Sequence, residues 1–149
     1  MATDAQLEVM RSVPLFSEVG KRDLKRLADS AVLRQYQAGD DIVEEGSRGV
    51  GMFVILEGEV EAVRGGTTVA ELGPGTYFGE LALFENARRN ATVRAKTVVT
   101  CLAFARWDFL AELRNEPTMA LQMLSTTMRR LSETTDELAR AKGSASTLD

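Results

Sequence analysis

The sequence predicts a mainly β domain with helices at both ends, of the sandwich or roll class. Short apolar runs of strand-like composition fill residues 32–105, and glycine-containing turns separate them. A helical repeat precedes this region and a much longer one follows it. Many short strands at this spacing are typical of a sandwich or roll. The predicted strands are 32–37, 41–45, 51–56, 59–64, 67–72, 91–96 and 98–105.

A short amphipathic helix is predicted over residues 21–30. Gly20 is an acceptable N-cap, and Asp23 places a negative charge in the first turn. Apolar side chains recur at helical spacing, which gives the helix one buried face. They are Leu24, Leu27, Ala28 and Ala31.

Two further helices follow the strands. The shorter one is predicted over residues 107–113. The longer one is predicted to begin at Pro117, because a proline lacks the backbone N–H that would be unpaired at the first position of a helix anyway. With Gly143 as its stop, the second helix covers about 117–142 and reaches roughly 39 Å. We expect residues 1–142 to form one domain that includes this helix, and residues 143–149 to form a flexible tail.

The long helix carries an apolar seam at alternating spacings of three and four. Its members are Leu121, Leu124, Met128, Leu131, Thr135 and Leu138. This is the a/d pattern of a paired helix, over about two and a half heptads. One interpretation is a two-fold helix pair and therefore a homodimer. The alternative is a helix that lies along its own domain, with the seam as ordinary core. We favour the first.

Composition excludes several classes of function. The net charge is −4 and the chain has no basic tract, so nucleic acid is a poor direct partner. Histidine is absent, which removes the commonest general base and metal ligand. One cysteine, Cys101, allows no internal disulfide and no thiolate cluster for zinc. No nucleophile–base set stands out either, so we do not expect an enzyme.

Two observations bear on location in the cell. No apolar run is long enough to cross a bilayer, and the first residues do not resemble a signal peptide. The single Cys101 lies in an apolar, strand-like run, where a small buried hydrophobe is the simplest interpretation. We therefore expect a cytoplasmic protein with no membrane partner.

The stretch 78–93 concentrates the candidate ligand-binding residues. Glu80 follows a glycine, and Arg89 lies nine residues further on, after apolar residues that could form one helical turn. A guanidinium offers a planar set of donors to phosphate oxygens, whereas a carboxylate accepts hydrogen bonds from hydroxyl groups. A ligand with both a phosphate and a sugar hydroxyl would need those two groups. The bland alternative is an ion pair between Glu80 and Arg89 that braces a surface loop.

These residues resemble the phosphate-binding cassette of cyclic nucleotide-binding domains, as in the catabolite activator (cAMP receptor) family and the kinase regulatory subunits. The family pattern F-G-E-[LI]-[AS]-L, followed by P-R-x-A-T-V, is matched at 78–83 and 89–93. The glycine-punctuated strands from residue 38 to 60 also resemble the family's double-stranded, jelly-roll-like β-roll. The resemblance covers about residues 14–140 and implies that roll, with short N-terminal helices and a long C-terminal one.

The resemblance assigns roles by position. Glu80 would bind the ribose 2′-hydroxyl and Arg89 the cyclic phosphate. The residues implied to lend backbone contacts or to close the phosphate cradle are Gly79, Leu81, Ala82, Asn90 and Ala91.

Two residues depart from the family pattern. Arg88 stands where proline is usual, so either Arg88 or Arg89 could reach the phosphate. We favour Arg89, because the Ala91-Thr92-Val93 that follows it keeps the family register. Asn90 stands where the family has Ser, Thr or Ala, which weakens any inference about the preferred base.

The resemblance extends to the long helix. Residues 128–131 and the pair Thr134-Thr135 look like the matching stretch of the bacterial cAMP receptor. That stretch implies that Thr134 contacts the base bound in its own subunit and Thr135 the base bound in the partner. The alternative is that the two threonines are ordinary polar residues on a helix surface, with no part in binding.

The sequence thus predicts a cyclic nucleotide sensor that signals to an effector protein through its C-terminal helix. The sequence does not identify that effector. We expect cAMP as ligand, with cGMP as the alternative, and no cofactor or metal. The competing hypothesis is a β-roll that binds no nucleotide and serves as a dimerisation or protein-docking domain.

Overall fold

The computed structural model describes the backbone of residues 2–147 and the side chains of residues 2–142. The α-helices are α1 (Asp4–Arg11), α2 (Lys21–Ser30), α3 (Arg106–Asn115) and α4 (Pro117–Thr147). Short 3₁₀ turns lie at Pro14–Phe16 and Glu80–Leu83. The strands are β1 (Val32–Tyr36), β2 (Asp41–Val43), β3 (Gly51–Glu57), β4 (Val60–Arg64), β5 (Thr67–Leu72), β6 (Tyr77–Phe78), β7 (Thr92–Ala95) and β8 (Val99–Ala105).

The strands form two four-stranded antiparallel sheets that face each other. One has the order β1-β8-β3-β6 and the other β2-β7-β4-β5, so each sheet mixes early and late strands. The seven predicted strands are confirmed to within a few residues at their ends. β6 was not predicted, because two residues are too short to show a period. The fold is the expected β-roll with flanking helices.

Two hydrophobic cores hold the domain together. The inner core lies between the sheets and includes Ile55, Val60 and Cys101, so Cys101 is buried as predicted. The outer core joins the helices to the back of the β3–β8 sheet and is centred on Phe16, which packs on Phe104 and Phe109. At roughly 25 cal/mol per Å² of buried apolar surface, these two layers supply most of the stabilisation.

The N-terminal helices are fixed by local chemistry. α2 has the predicted bounds, and Leu24, Leu27 and Ala28 form its buried face. α1 precedes it and begins with a capping box, in which Thr3 and Gln6 each accept a hydrogen bond from the other's backbone N–H. Leu7 and Met10 of α1 are buried with the apolar face of α2, so both helices pack in the outer core.

The long helix α4 has two opposite faces. Met119, Met123 and Thr126 lie one turn apart and are buried, at 1%, 3% and 5% exposure, against the domain. The seam residues face the other way. The apolar ones are 55–65% exposed: Leu121, Leu124, Met128, Leu131 and Leu138. The interpretation of the seam as this chain's own core is therefore wrong.

The end of α4 differs from the prediction. The helix runs through Gly143 to Thr147, so the predicted stop at Gly143 is wrong, and the predicted tail is helical as far as Thr147. A glycine inside a helix costs only about 1 kcal/mol relative to alanine, and the serines and alanine after it tolerate a helix. Residues 148 and 149 of the predicted tail lie outside the described residues. In the part of the chain that the structure describes, no helix combines the length and apolarity that crossing a membrane requires.

Candidate functional site

The cassette begins with a glycine that nothing larger could replace. Gly79 follows β6 and adopts φ +82°, a left-handed conformation that side chains disfavour. A Cβ at this position would also overlap Nη1 of Arg89 and lie 3.0 Å from the carbonyl oxygen of Gly51. The 3₁₀ turn Glu80–Leu83 then starts directly, which confirms the predicted helical turn. Gly79 therefore sets both the turn and the close approach of Arg89.

The guanidinium of Arg89 is held inside the roll. Its Nη2 donates a 2.7 Å hydrogen bond to the carbonyl oxygen of Gly51, and its Cζ lies 6.0 Å from the centroid of the Phe53 ring. Gly49 leaves room for it, because a Cβ there would lie 2.8 Å from Arg89 Cζ. The backbone N–H of Arg89 donates to Ser47 O at 2.7 Å, which fixes the start of the side chain.

The guanidinium of Arg89 is charged, and one of its hydrogen-bond donors has no acceptor among the described residues. Its Nε is buried and has no hydrogen-bond partner among the described residues. Burial lowers the pKa of Arg89, and the charge of Glu80 partly opposes that effect. A buried N–H without a partner is costly, and an anionic ligand can supply the missing acceptor.

Glu80 stands apart from Arg89. Its side chain is exposed, and within residues 2–142 no ion pair at 4.0 Å or less joins the two. The bland interpretation, an ion pair that braces the loop, is therefore wrong. The carboxylate and the guanidinium are both available to a ligand between them.

A cavity of about 260 Å³ lies between these two groups and the second sheet. Seven of the nine predicted site residues line it: Gly79, Glu80, Leu81, Ala82, Arg89, Asn90 and Ala91. Its apolar walls come from strands that the site prediction did not include, and they are Val43, Ala62, Leu72, Tyr77, Phe78 and Val93. The alternating pattern of those strands could have identified Val43 and Ala62 as inward-facing. The cavity thus combines an apolar body with a charged end, as ligand pockets do.

Arg88 and Asn90 are oriented by other contacts. Arg88 is exposed, and its Nη1 donates to Gly46 O at 2.7 Å. The carbonyl oxygen of Asn90 accepts from Arg64 Nε at 2.9 Å, and its side chain is exposed at the cavity. Of the two consecutive arginines, Arg89 is the one held in the interior, which agrees with the register chosen from the sequence.

The two threonines of α4 are not brought to the cavity. Thr134 and Thr135 are exposed, neither lines the cavity, and the hydroxyl of Thr134 donates to Arg130 O at 3.0 Å, one turn earlier. A charge on α4 nevertheless acts on Tyr77, which lines the cavity. Burial and the charge of Glu80 raise the pKa of Tyr77, and the charge of Arg130 opposes them. Arg130 was not among the predicted site residues, and it lies one turn before Thr134.

A β-roll with a glycine-opened cassette, an interior arginine and a separate carboxylate defines a nucleotide-sensing class of domain. The family model of the cyclic nucleotide-binding domain matches residues 33–116, more than half of the chain, and the chain belongs to that family.

Three comparisons illustrate the relationship. The chain is 34% identical over 123 residues to the cAMP-dependent protein kinase regulatory subunit of Schizosaccharomyces pombe, covering 77% of this chain and 30% of that protein. It is 32% identical over 134 residues to the cyclic AMP receptor protein of Thermus thermophilus, covering 87% of this chain and 62% of that protein. It therefore spans less than two thirds of either relative.

Among solved structures, the N-terminal domain of a transcriptional regulator from Streptomyces coelicolor A3(2) superposes with a TM-score of 0.82 at 32% identity. The match covers 86% of this chain and 95% of that domain. The likeness therefore extends over nearly the whole of that N-terminal domain.

Proposed function

We propose that this domain is a cAMP sensor that acts through α4. The observation that carries the proposal is the interior guanidinium of Arg89, with an unpartnered buried Nε, facing a cavity whose other polar end is Glu80. A cyclic phosphate would supply acceptors to Arg89, and the ribose 2′-hydroxyl would donate to Glu80. Gly79, Leu81, Ala82, Asn90 and Ala91 would surround the sugar-phosphate.

The base would occupy the part of the cavity nearest α4. Since Thr134 and Thr135 lie away from the cavity, α4 must move for them to reach a base, or the partner's helix must supply one of them. Ligand would then favour the arrangement in which α4 covers the base, because that arrangement alone gains the contact. This is the route by which binding would be communicated.

We further propose that two copies pair through the α4 seam. Five exposed apolar side chains in one stripe, on the side of α4 opposite its own domain, form a surface that single domains rarely leave open. The a/d spacing is what a second identical helix would match. Pairing would place Thr135 next to the partner's nucleotide, as the family resemblance implies.

The role is regulatory rather than catalytic. The relatives named above are a kinase regulatory subunit and a receptor protein, and the proposed site residues position a ligand without activating a nucleophile. The effector that reads α4 would be another protein or another domain.

Calorimetric titration with cAMP, cGMP and a cyclic dinucleotide tests the proposal. We expect saturable binding at one site per chain, tightest for cAMP. The competing hypothesis, a docking domain without a ligand, predicts no heat from any of the three and no thermal stabilisation by cAMP. Its supporting observation is the same exposed seam, so dimerisation alone does not separate the two.

A further inference from the structure

A second cavity, of about 480 Å³, adjoins the first. Arg89 and Val43 border both cavities. Neither Glu80 nor the cassette turn borders the second one, whose walls come from β1, β2, β3, β8 and the loop after β2. It therefore shares Arg89 with the proposed nucleotide site but none of that site's other proposed residues.

This space arises from small residues on β8. Side chains that share a face alternate along a strand, and on the inner face of β8 Val99 and Cys101 fill the core between the sheets. Ala103 and Ala105 continue that row and line the cavity, where larger residues would be needed to close it. Gly51, which pairs with Ala105, adds no side chain. The row thus ends in an unfilled apolar recess.

The mouth of the recess exposes apolar surface. Val32 and Val50 line it and remain 53% and 52% exposed, respectively. Apolar side chains of this size, left open around a concave surface, are typical of a ligand site.

At the recess, guanidinium groups without an ion-pair partner outnumber carboxylates without one among the described residues. Arg34 and Arg48 line it, and neither forms an ion pair with a described residue. Of the two lining carboxylates, Asp41 is paired with Arg94 at 2.8 Å, and Glu44 has no ion-pair partner in residues 2–142. With Arg89, which it shares with the first cavity, the recess has three guanidinium groups without an ion-pair partner in residues 2–142, against one such carboxylate, so it is suited to an anion.

Arg34 is exposed, but it pairs with Cys101 of β8, and side chains of paired residues share a face of the sheet, so it lies on the face that lines the recess. Burial raises the pKa of Cys101 to about 11, and the Arg34 charge opposes that rise. Burial also raises the pKa of Tyr36, a residue that lines the same recess, and Arg34 again opposes it. These effects agree with the place of Arg34 opposite Cys101 in the strand pair.

We infer that this recess binds a small amphipathic carboxylate of the medium-chain fatty acid class. The chain would lie on Val32, Ala103 and Ala105, and the carboxylate would accept hydrogen bonds from Arg34 and Arg48. A guanidinium fork matches a carboxylate in shape and charge. A free phosphate fits less well, because most of the lining is apolar and a phosphate has no hydrocarbon part to cover it.

Calorimetric titration of the full chain with octanoate tests the inference, with octanol as a neutral probe of the same chain length. We expect saturable octanoate binding at one site per chain and at least about tenfold weaker binding of octanol, since a charge-assisted hydrogen bond is lost. The titration is repeated at saturating cAMP, where octanoate should still bind.

Variants locate the site. Ala103→Leu fills the recess and should abolish octanoate binding, whereas Ala70→Leu, on exposed β5, should not. Arg34→Gln should weaken octanoate about tenfold or more, and Arg22→Gln, an exposed arginine on α2, should leave it unchanged. If circular dichroism shows that Ala103→Leu is unfolded, the comparison of Arg34→Gln with Arg22→Gln is sufficient to test the site.

Three outcomes would overturn the inference. Absence of saturable octanoate binding is the first, and equal affinity in the Arg34→Gln variant is the second. The third is a double result: cAMP displaces octanoate, and the Glu80→Gln variant no longer binds octanoate. That result would place octanoate in the nucleotide cavity. If Glu80→Gln loses cAMP but keeps octanoate, the inference is supported separately from the proposed nucleotide function.

Discussion

Glu18 and Arg129 form a two-point contact that ties α4 to the N-terminal segment. Arg129 Nη1 and Nη2 donate to the two carboxylate oxygens of Glu18 at 3.0 and 2.6 Å. The Thr126 hydroxyl donates to the same carboxylate. Beyond Arg129 the side chains of α4 are exposed as far as residue 142, so this is the last polar tether before the free part of the helix.

Acid should release this tether. The hydrogen bonds from Arg129 and then Thr126 lower the pKa of Glu18 to about 2, from an ordinary value of 4.5. A folded-state pKa below the unfolded value means that the contribution to stability is complete above the ordinary value and is lost as the pH falls toward the folded one. The window therefore lies between about 4.5 and about 2.

Denaturant unfolding of the wild type and Glu18→Gln across that window measures the effect. We expect the wild type to be the more stable near neutral pH, and the difference to shrink steadily as the pH is lowered. Glu8→Gln, an exposed glutamate on α1, is the matched control. A difference between wild type and Glu18→Gln that does not change with pH would contradict the assignment.

Arg89→Ala should weaken cAMP binding by roughly 30-fold to several thousand-fold, because removing one partner of a buried charged pair costs about 2–5 kcal/mol and about 1.4 kcal/mol is one decade. Arg88→Ala should change affinity by no more than about threefold, because Arg88 is exposed and bonded to Gly46 O. Calorimetry measures both. Equal losses in the two variants, or a larger loss at Arg88, would show that the register is wrong.

Glu80 should recognise the ribose 2′-hydroxyl. The wild type should therefore bind cAMP about tenfold or more tightly than 2′-deoxy-cAMP, because a hydrogen bond to a charged group contributes about 1.5–3 kcal/mol. In Glu80→Ala the two ligands should bind alike, which a competition assay with a fluorescent nucleotide can measure. Full discrimination retained in the variant would exclude this role.

The polar ends of the site could be read from the sequence, because the cassette is contiguous. Glu80 and Arg89 are nine residues apart, and one glycine and one 3₁₀ turn fix their relation. The apolar walls could not be assigned in the same way. Val43, Ala62 and Leu72 lie on three different strands, and they meet only once the sheet order β2-β7-β4-β5 is known.

The long helix shows the other limit of sequence reasoning. The seam at Leu121 and Leu131 was recognised from its spacing, but a stripe by itself does not show whether it faces a partner or its own domain. The outcome depends on Met119, Met123 and Thr126, which occupy the opposite side and are already buried. The helix end was misjudged at Gly143 because local propensity is weaker than the continuity of a long helix.

If two copies pair through the seam as proposed, a charge within it should separate them. Leu131→Glu places a charge among exposed apolar side chains that would be buried between paired helices, so the dimer should dissociate to monomers at micromolar concentration. Gln122→Glu adds the same charge at an exposed position of α4 outside the seam and should remain dimeric. Light scattering coupled to gel filtration gives the mass directly. A monomeric wild type, or an unchanged mass in Leu131→Glu, would exclude the helix pair.

Thr134 should distinguish cAMP from cGMP when α4 covers the base. Its hydroxyl donates to Arg130 O in this structure and must turn or be carried toward the cavity to meet an adenine edge. Thr134→Ala should therefore weaken cAMP about fivefold, the effect of one neutral hydrogen bond near 1 kcal/mol, and change cGMP less. Thr134→Ser keeps the hydroxyl and should retain the preference. Calorimetry on both variants with both nucleotides measures the effect, and equal losses for cAMP and cGMP in Thr134→Ala would mean that α4 does not read the base through this residue.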